Sequence, residues 1–167
     1  MIYTIKVQTI YHCSLERAFK TAILSDVTKI HTGKGIMPKV TGVLEDESWG
    51  QVGAVKKIIV GKSLTFKGGE SSTDQILERK ENDYWKIEVA NFKSAMLGFT
   101  KFVGTWKTTE LAANEIQIDY TYELHATKWY FYPFNWIFAK LFWKGYMKQV
   151  LDNIRKMIEN KEPYMYL

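Results

Sequence analysis

The opening part of the chain changes its hydrophobic period twice. Apolar and polar positions alternate along residues 2–11, as they do in a strand with one covered face. Residues 15–24 place apolar side chains at helical spacing, and Ser14 offers an N-cap for this helix. A second short helix is expected from Ser25 to Gly33, and residues 33–38, with two glycines and a proline, form a loop. The pattern predicts a strand, two short helices and a loop.

Residues 39–127 show a different pattern, in which β-branched and aromatic runs are separated by turn signals. Such short connections favour antiparallel pairing of consecutive strands, because parallel neighbours need crossovers of about a dozen residues. The strands are expected at residues 39–46, 51–61, 63–68 with an irregular extension to 79, 84–92, 100–110 and 115–126. The last one alternates most clearly, since its even positions from 116 to 124 are apolar or aromatic and its odd positions are polar. We expect an antiparallel meander with one covered face.

A long helix is expected to cover that face, from Phe134 to Asn160, with a length of about 40 Å. Its stripe, about 100° wide, holds Trp136, Trp143, Met147, Val150, Leu151, Ile154 and Ile158. Lys140 also lies in the stripe, where a charge buried alone is unfavourable, so it either extends outward to water or meets an anion. Phe138, Leu141 and Phe142 fall outside the stripe, so this half of the helix has apolar surface on more than one side.

Composition draws attention to the same segment. The chain has 167 residues, and residues 129–143 hold nine of its 25 Phe, Trp and Tyr. The uncharged run at residues 129–139 ends at Lys140 and is too short for a membrane span, which needs about 20 residues. Pro133 suits the first turn of a helix and so marks a helix start. Without a linker or repeat, the chain is expected to form one domain over residues 1–167.

Charge and cysteine content exclude several functions. The net charge is +5 and the pI is 9.1, but the basic residues are scattered, so no nucleic-acid partner is expected. The single cysteine, Cys13, cannot form an intramolecular disulfide. The N-terminal residues lack the features of a signal peptide, and a cytoplasmic location is expected.

No residue can be assigned to catalysis from the sequence. The three histidines, His12, His31 and His125, show no metal-ligand spacing, and a nucleophile elbow and a P-loop are absent. Paired carboxylates occur only in predicted turns, where water solvates them. We therefore expect no catalytic motif, no metal and no cofactor.

Several stretches together resemble the START-like, or SRPBCC, superfamily, which includes polyketide cyclases and lipid-transfer domains. IKVQTIYHCSLERAFKTAILSD is similar to its first strand and helix, with Ala18-Phe19 in the "VF" position and Cys13-Ser14 in place of the usual proline. The other matching stretches are GQVGAVKKIIV, DQILERKENDYWKIEV, FVGTWKTTELAANEIQIDYTYEL and VLDNIRKMIE. The resemblance implies an α+β helix-grip fold, in which a curved antiparallel sheet of about seven strands wraps around the long C-terminal helix and leaves an internal cavity.

Candidate ligand contacts follow from the strands and the helix stripe. They are Trp85, Phe102, Trp106, Ile118, Tyr120 and Tyr122 on the sheet side, and Trp136, Lys140, Trp143 and Met147 on the helix side. Apolar and aromatic walls with a few polar groups are typical of pockets for lipids or polycyclic molecules. Gly104 removes volume between Phe102 and Trp106. The alternative is that these side chains only fill the core.

Apolar residues also occur in two predicted connections, where polar residues are usual. They are Ile36 and Met37 in the first, and Met96, Leu97 and Phe99 in the second. Comparable loops surround the cavity entrance in the family, so the resemblance implies that these residues border an entrance.

Three functional hypotheses follow. The first is binding or transport of a hydrophobic small molecule, such as a lipid, isoprenoid or polyketide. The second is a peripheral membrane or protein-interaction module that uses residues 129–143, with Lys140, Lys144 and Lys148 facing anionic headgroups. The third is an enzyme of the cyclase or aromatase type.

Overall fold

Seven strands form one antiparallel sheet in the computed structural model, which describes residues 1–94 and 98–164. The strands are β1 (Ile2–Tyr11), β2 (Val40–Glu45), β3 (Val55–Val60), β4 (Gly69–Lys80), β5 (Tyr84–Ala90), β6 (Phe99–Ala112) and β7 (Glu115–Ala126). Their order across the sheet is β1-β7-β6-β5-β4-β3-β2. Consecutive strands are therefore neighbours from β2 to β7, and β1 closes the far edge against β7. The predicted antiparallel meander is confirmed.

Two short helices connect β1 to the opposite edge of the sheet. Helix α1 (Leu15–Leu24) is capped by Ser14, whose hydroxyl accepts a hydrogen bond from the Arg17 amide at 3.2 Å. Helix α2 (Val27–Ile30) is capped in the same way by the Asp26 carboxylate. The caps satisfy amide groups that have no partner within a first helical turn.

The C-terminal helix is built from several segments. A 3-10 turn (Trp129–Phe131) leads into α3 (Tyr132–Ile137), followed by a π-helical segment (Phe138–Trp143) and α4 (Lys144–Glu159). Pro133 lies in the first turn of α3, as predicted. No helix in the described part of the chain is both long and apolar enough to cross a bilayer.

The π-helical segment overturns the predicted orientation of Trp136. Its wider turn, with i→i+5 hydrogen bonds, changes the angular position of the residues before it relative to those after it. Trp136 was predicted to face the sheet, but it is 47 % exposed. Phe138 was predicted outside the stripe, but it is 5 % exposed and its ring centroid lies 5.4 Å from that of Phe99. Trp143, the last residue of the π-helical segment, and Met147 of α4 are buried as predicted.

Three predicted strand boundaries are also wrong. Residues 51–54 form a turn, so β3 begins at Val55. Residues 61–68 are not a strand either, and β4 begins at Gly69. Gly68 and Gly69 have φ of +89° and +95°, which interrupts an extended backbone at this point. Phe99, predicted in a connection, is the first residue of β6.

Buried hydrogen bonds tie the sheet to the helices. The Tyr11 hydroxyl donates to the Leu151 carbonyl oxygen of α4 at 2.8 Å. The Trp49 indole, in the connection between β2 and β3, donates to the Ile23 carbonyl oxygen of α1 at 3.0 Å. These bonds hold α1 and α4 over the inner face of the sheet.

Candidate ligand-binding site

A cavity of about 120 Å³ lies between the inner face of the sheet and the helices. Strands β2 to β7, helices α1, α2 and α4, the π-helical segment and the loop residues Met37 and Pro38 contribute to its lining. An apolar cavity of about 150 Å³ holds one benzene molecule. The cavity is therefore large enough for about one aromatic ring. A larger ligand requires the lining side chains to move outward.

An aromatic wall forms one side of the cavity, and the strand register explains it. Trp85 of β5 lies opposite Trp106 of β6, which in turn lies opposite Tyr120 of β7. The indoles of Trp85 and Trp106 are stacked with centroids 5.8 Å apart. Tyr122 continues the wall from Tyr120, and its ring meets Trp143 of the π-helical segment edge-on at 5.1 Å. Sheet and helix thus supply one continuous aromatic surface.

Gly104 of β6 accommodates this wall rather than enlarging the cavity. It lies opposite Tyr122, and a Cβ atom built at residue 104 would come within 2.6 Å of the Tyr122 Cζ atom. The phenol ring therefore occupies the space that the missing side chain leaves. As predicted, Gly104 leaves space between Phe102 and Trp106 on β6. The Tyr122 ring fills that space, so it does not add to the cavity.

Lys56 and Asp74 place a cation and a carboxyl group on the inner face of the sheet. They are direct partners across β3 and β4, and both line the cavity. Lys56 is 2 % exposed, and its Nζ atom lies 3.7 Å from the centre of the Trp49 ring, which stabilises the ammonium by a cation–π contact. Desolvation lowers the pKa of Lys56 to about 8 against the attraction of Asp74. Desolvation raises the pKa of Asp74 to about 7 against the attraction of Lys56.

Hydroxyl groups and one histidine complete the polar part of the lining. The Tyr120 and Tyr122 hydroxyls are 3.1 Å apart, and burial raises the pKa of both phenols. The Tyr146 hydroxyl lies 2.8 Å from the His31 Nδ1 atom, which joins α4 to the end of α2. Desolvation, followed by the charge of Lys56, lowers the pKa of His31 to about 4. His31 is therefore neutral at neutral pH and can donate through only one ring nitrogen.

Several buried polar atoms around the cavity have no hydrogen-bond partner among residues 1–94 and 98–164. They are the indole Nε1 atoms of Trp85, Trp106 and Trp143 and the Oδ1 atom of Asp74. Most buried polar groups in folded proteins are paired, so each exception requires an explanation. Here three donors and one acceptor belong to residues that line the same cavity.

The structure brings together most of the predicted contacts. Trp85, Phe102, Trp106, Tyr120, Tyr122 and Trp143 line the cavity, as does Met37 of the predicted entrance loops. Ile118 and Met147 are buried, but they belong to the core outside this lining. Ile36 is half-buried beside the core, and Phe99 packs against Tyr3 and Phe102 away from the cavity. Met96 and Leu97 lie outside the described residues.

Two helix residues in the predicted site lie elsewhere. Trp136 is on the exposed side of α3 for the reason given above. Lys140 is exposed, and its ammonium group lies 3.4 Å from the Thr4 carbonyl oxygen. Of the two orientations predicted for Lys140, the structure shows the outward one.

Sequence reasoning missed the polar residues Lys56, Asp74, His31 and Tyr146. A signal for Lys56 was present, because alternation in VKKIIV places it on the same side as Ile58 and Val60. Asp74 was harder to find, since β4 carries register shifts against both of its neighbours. A carboxylate opposite an inward lysine could have been sought only after the pairing of β3 and β4 was known.

The site and its scaffold define a class of protein. A seven-stranded antiparallel sheet, among the described residues, wraps around a C-terminal helix and encloses an apolar cavity with a few polar groups. Within residues 1–94 and 98–164, no three His, Cys, Asp or Glu side chains form a cluster that could hold a metal ion. This is the helix-grip fold predicted from the sequence, with a cavity typical of hydrophobic ligand binding.

The chain belongs to the polyketide cyclase / dehydrase and lipid transport family, whose model matches residues 5–159. Norcoclaurine synthase from Thalictrum flavum, in complex with dopamine and hydroxybenzaldehyde, is 14 % identical with a TM-score of 0.72, over 98 % of this chain and 90 % of that one. Ara h 8.0201 is 13 % identical with a TM-score of 0.66, over 96 % and 99 % of the two chains. A Staphylococcus aureus protein of unknown function is 14 % identical with a TM-score of 0.70, over 96 % of each. No curated protein matches the sequence.

Proposed function

We propose that this protein binds or transports a small hydrophobic molecule that carries a hydroxylated ring. The observation that carries the proposal is a set of polar atoms beside an apolar cavity that have no partner in the part of the chain that the structure describes. A hydroxyl group both accepts and donates, so it can accept from one of the indole N–H groups and donate to the Asp74 Oδ1 atom. The ring itself would pack against the stacked indoles of Trp85 and Trp106.

The electrostatics favour a neutral or weakly acidic hydroxyl rather than a strong cation or anion. Lys56 and Asp74 lie opposite each other, so an added charge would meet one favourable and one unfavourable partner. A phenol or enol avoids this conflict, and the ammonium of Lys56 would stabilise partial negative charge on its oxygen. Hydroxybenzaldehyde, one of the two molecules in complex with the similar norcoclaurine synthase, is a hydroxylated ring without a cationic group, which supports this ligand class.

A matched pair of probes tests the proposal. Toluene and p-cresol have nearly the same shape and differ in one hydroxyl group. We expect p-cresol to bind more tightly by about tenfold or more, because it pairs polar atoms that toluene leaves unpaired. Binding can be measured by tryptophan fluorescence, since three indoles border the cavity.

The neighbouring lysines provide the control. Lys56→Met should reduce the preference for p-cresol, because it removes the charge that stabilises the hydroxyl oxygen, whereas Lys57→Met should leave the preference unchanged, because Lys57 lies on the exposed face of β3. Failure of both probes to bind, or equal affinities for the two, would overturn the proposal. An equal effect of the two substitutions would show that the Lys56 side chain does not recognise the hydroxyl.

Catalysis of the cyclase type is a second candidate, and a specific observation favours it. Asp74 and Lys56 lie in one cavity with pKa values of about 7 and about 8, so one can hold a proton while the other releases it near neutral pH. Such a pair could move a proton at the carbon next to a ketone. The test is deuterium exchange of cyclohexanone in heavy water, measured by NMR. An exchange rate that is the same for wild type and Asp74→Asn excludes this candidate.

A further inference from the structure

The segment Trp129–Phe142 exposes an unusually large number of apolar and aromatic side chains to solvent. Its exposed large side chains are Trp129 (77 %), Tyr130 (55 %), Tyr132 (52 %), Phe134 (59 %), Trp136 (47 %), Ile137 (41 %), Leu141 (65 %) and Phe142 (38 %). Single exposed apolar residues are normal in soluble proteins, but a contiguous group marks an interaction surface. We call this group the aromatic patch.

The charged side chains in the chain segment that holds the aromatic patch are all basic. No Asp or Glu occurs between Glu123 and Asp152, whereas Lys128, Lys140, Lys144 and Lys148 lie in that interval and are exposed. Lys34 adds a further cation, since its side chain runs beside Gly145 at the start of α4. An occupant with negative charge at its surface would complement this arrangement.

A second copy of the chain does not meet that requirement. In a two-fold symmetric dimer the same patch faces itself, so the lysines of one copy would approach the lysines of the other. An anionic bilayer surface offers negative headgroups at the level of the lysines and an acyl boundary for the apolar side chains. Trp and Tyr, which make up four of the eight exposed side chains, are the residues enriched at such interfaces.

We propose that the aromatic patch docks this protein on the surface of an anionic membrane, with the patch in the interfacial layer and the flanking lysines on the headgroups. The patch adjoins the ligand cavity, because Phe142 lies against Gly35 of the loop whose Met37 and Pro38 line the cavity. Trp143, the next residue after the patch, lines the cavity itself. Docking would therefore bring the lining of the cavity close to the bilayer.

Flotation with lipid vesicles tests this proposal on the full chain. The vesicles contain either phosphatidylcholine alone or equal parts of phosphatidylcholine and phosphatidylglycerol. We expect retention on the anionic vesicles at low salt, weaker retention at high salt because the charges are screened, and little on phosphatidylcholine alone. A wild type that fails to float with anionic vesicles at low salt overturns the proposal.

Matched variants distinguish binding through the aromatic patch from nonspecific association with vesicles. Lys128→Glu, Lys140→Glu and Lys144→Glu together should weaken binding at least about a hundredfold, because each lysine near an anionic surface contributes roughly fivefold. Trp129→Ser with Leu141→Ser should also weaken it, about tenfold or more. Leu111→Ser and Lys107→Glu are the controls, since Leu111 is 50 % exposed, Lys107 is exposed, and both lie on the part of β6 remote from Phe99, which packs beside the patch segment. Circular dichroism checks that each variant folds.

Two further outcomes contradict the proposal. Controls that weaken binding as much as the patch variants do would mean that the association is nonspecific. The protein could instead fail to bind vesicles and form a concentration-dependent dimer, detected by sedimentation. If Trp129→Ser with Leu141→Ser abolished that dimer, the patch would be an interface with a second copy of the chain. Neither outcome affects the probe experiment on the cavity, so the two proposals can fail separately.

Discussion

Substitution of Gly104 by alanine tests the reasoning that links the aromatic wall to the cavity. The new Cβ atom would lie 2.6 Å from the Tyr122 Cζ atom and 2.9 Å from Cε1, whereas ordinary contact begins at 3.4 Å. The Tyr122 ring must therefore retreat by about 0.8 Å or rotate away from β6. Tyr120 and Trp143 border the ring at centroid distances of 5.1 Å each, and the remaining open space is the cavity.

The expected effects follow from this confinement. Overpacking a core usually costs about 1–3 kcal/mol, and a neighbouring cavity should keep Gly104→Ala in the lower part of that range. The displaced ring would enter a cavity of only about 120 Å³, so the effect on binding should be larger. We expect the affinity for p-cresol to fall about tenfold or more, the magnitude associated with a single methylene in a pocket.

A double-mutant cycle with Tyr122→Leu isolates the contact. Unfolding free energies from urea titrations are compared for wild type, both single variants and the double variant. The three atoms nearest to the added methyl group all belong to the Tyr122 phenol, so Gly104→Ala should become nearly neutral without it. Gly42→Ala in β2 is the matched control, because no atom of the described residues, apart from Gly42 and its two chain neighbours, lies within 4 Å of its Cβ position. If Gly104→Ala costs as much in the Tyr122→Leu background as in wild type, the close approach does not determine the effect, and the reasoning is refuted.

Three further predictions concern buried polar groups. Burial raises the pKa of Asp74 to about 7, so its contribution to stability is present below about pH 4 and lost as the pH rises to about 7. The unfolding free energy of wild type minus that of Asp74→Asn should therefore fall by about 2 kcal/mol between about pH 5 and pH 7 in urea titrations. A rise of this value over the same range would contradict the assignment. Tyr11→Phe removes the 2.8 Å hydrogen bond to Leu151 and should lower the unfolding free energy by about 1–2 kcal/mol, whereas no loss would mean that water replaces the bond. Lys56→Met with Asp74→Leu should raise the unfolding free energy by about 1–4 kcal/mol and remove the preference for p-cresol over toluene, and a destabilised double variant would contradict this.

The inner face of the sheet could be predicted from the sequence where alternation is strict. In β7 the even positions point inward without interruption, and Ile116, Ile118 and Leu124 are 0 % exposed. Because antiparallel register then fixes the neighbours, Trp85, Trp106 and Tyr120 could be placed on one wall before the structure was known. The period of two is a property of the backbone, so tertiary contacts do not disturb it there.

The C-terminal helix shows why the other half of the site could not be predicted. A helical wheel assumes a constant angle per residue, and the π-helical segment Phe138–Trp143 violates that assumption. Trp143, the last residue of the segment, and Met147, which follows it in α4, keep their predicted orientation. Trp136, before it, turns outward and joins the aromatic patch. One local change in helix geometry thus moves an aromatic side chain from the predicted pocket to the surface.

Lys56 and Asp74 lie at inner positions of the sheet where apolar side chains would stabilise the fold more. Local alternation requires an apolar residue at each of these inner positions, and Ile58 and Val60 meet that requirement on the same strand. Two charged groups placed there lose hydration, and their mutual attraction rarely exceeds that loss. The fold therefore gains little from the pair, and the shifted pKa values of both groups reflect the loss of hydration. These two groups lie in the cavity beside indole donors that have no partner among the described residues, and the ligand that we propose would pair with them.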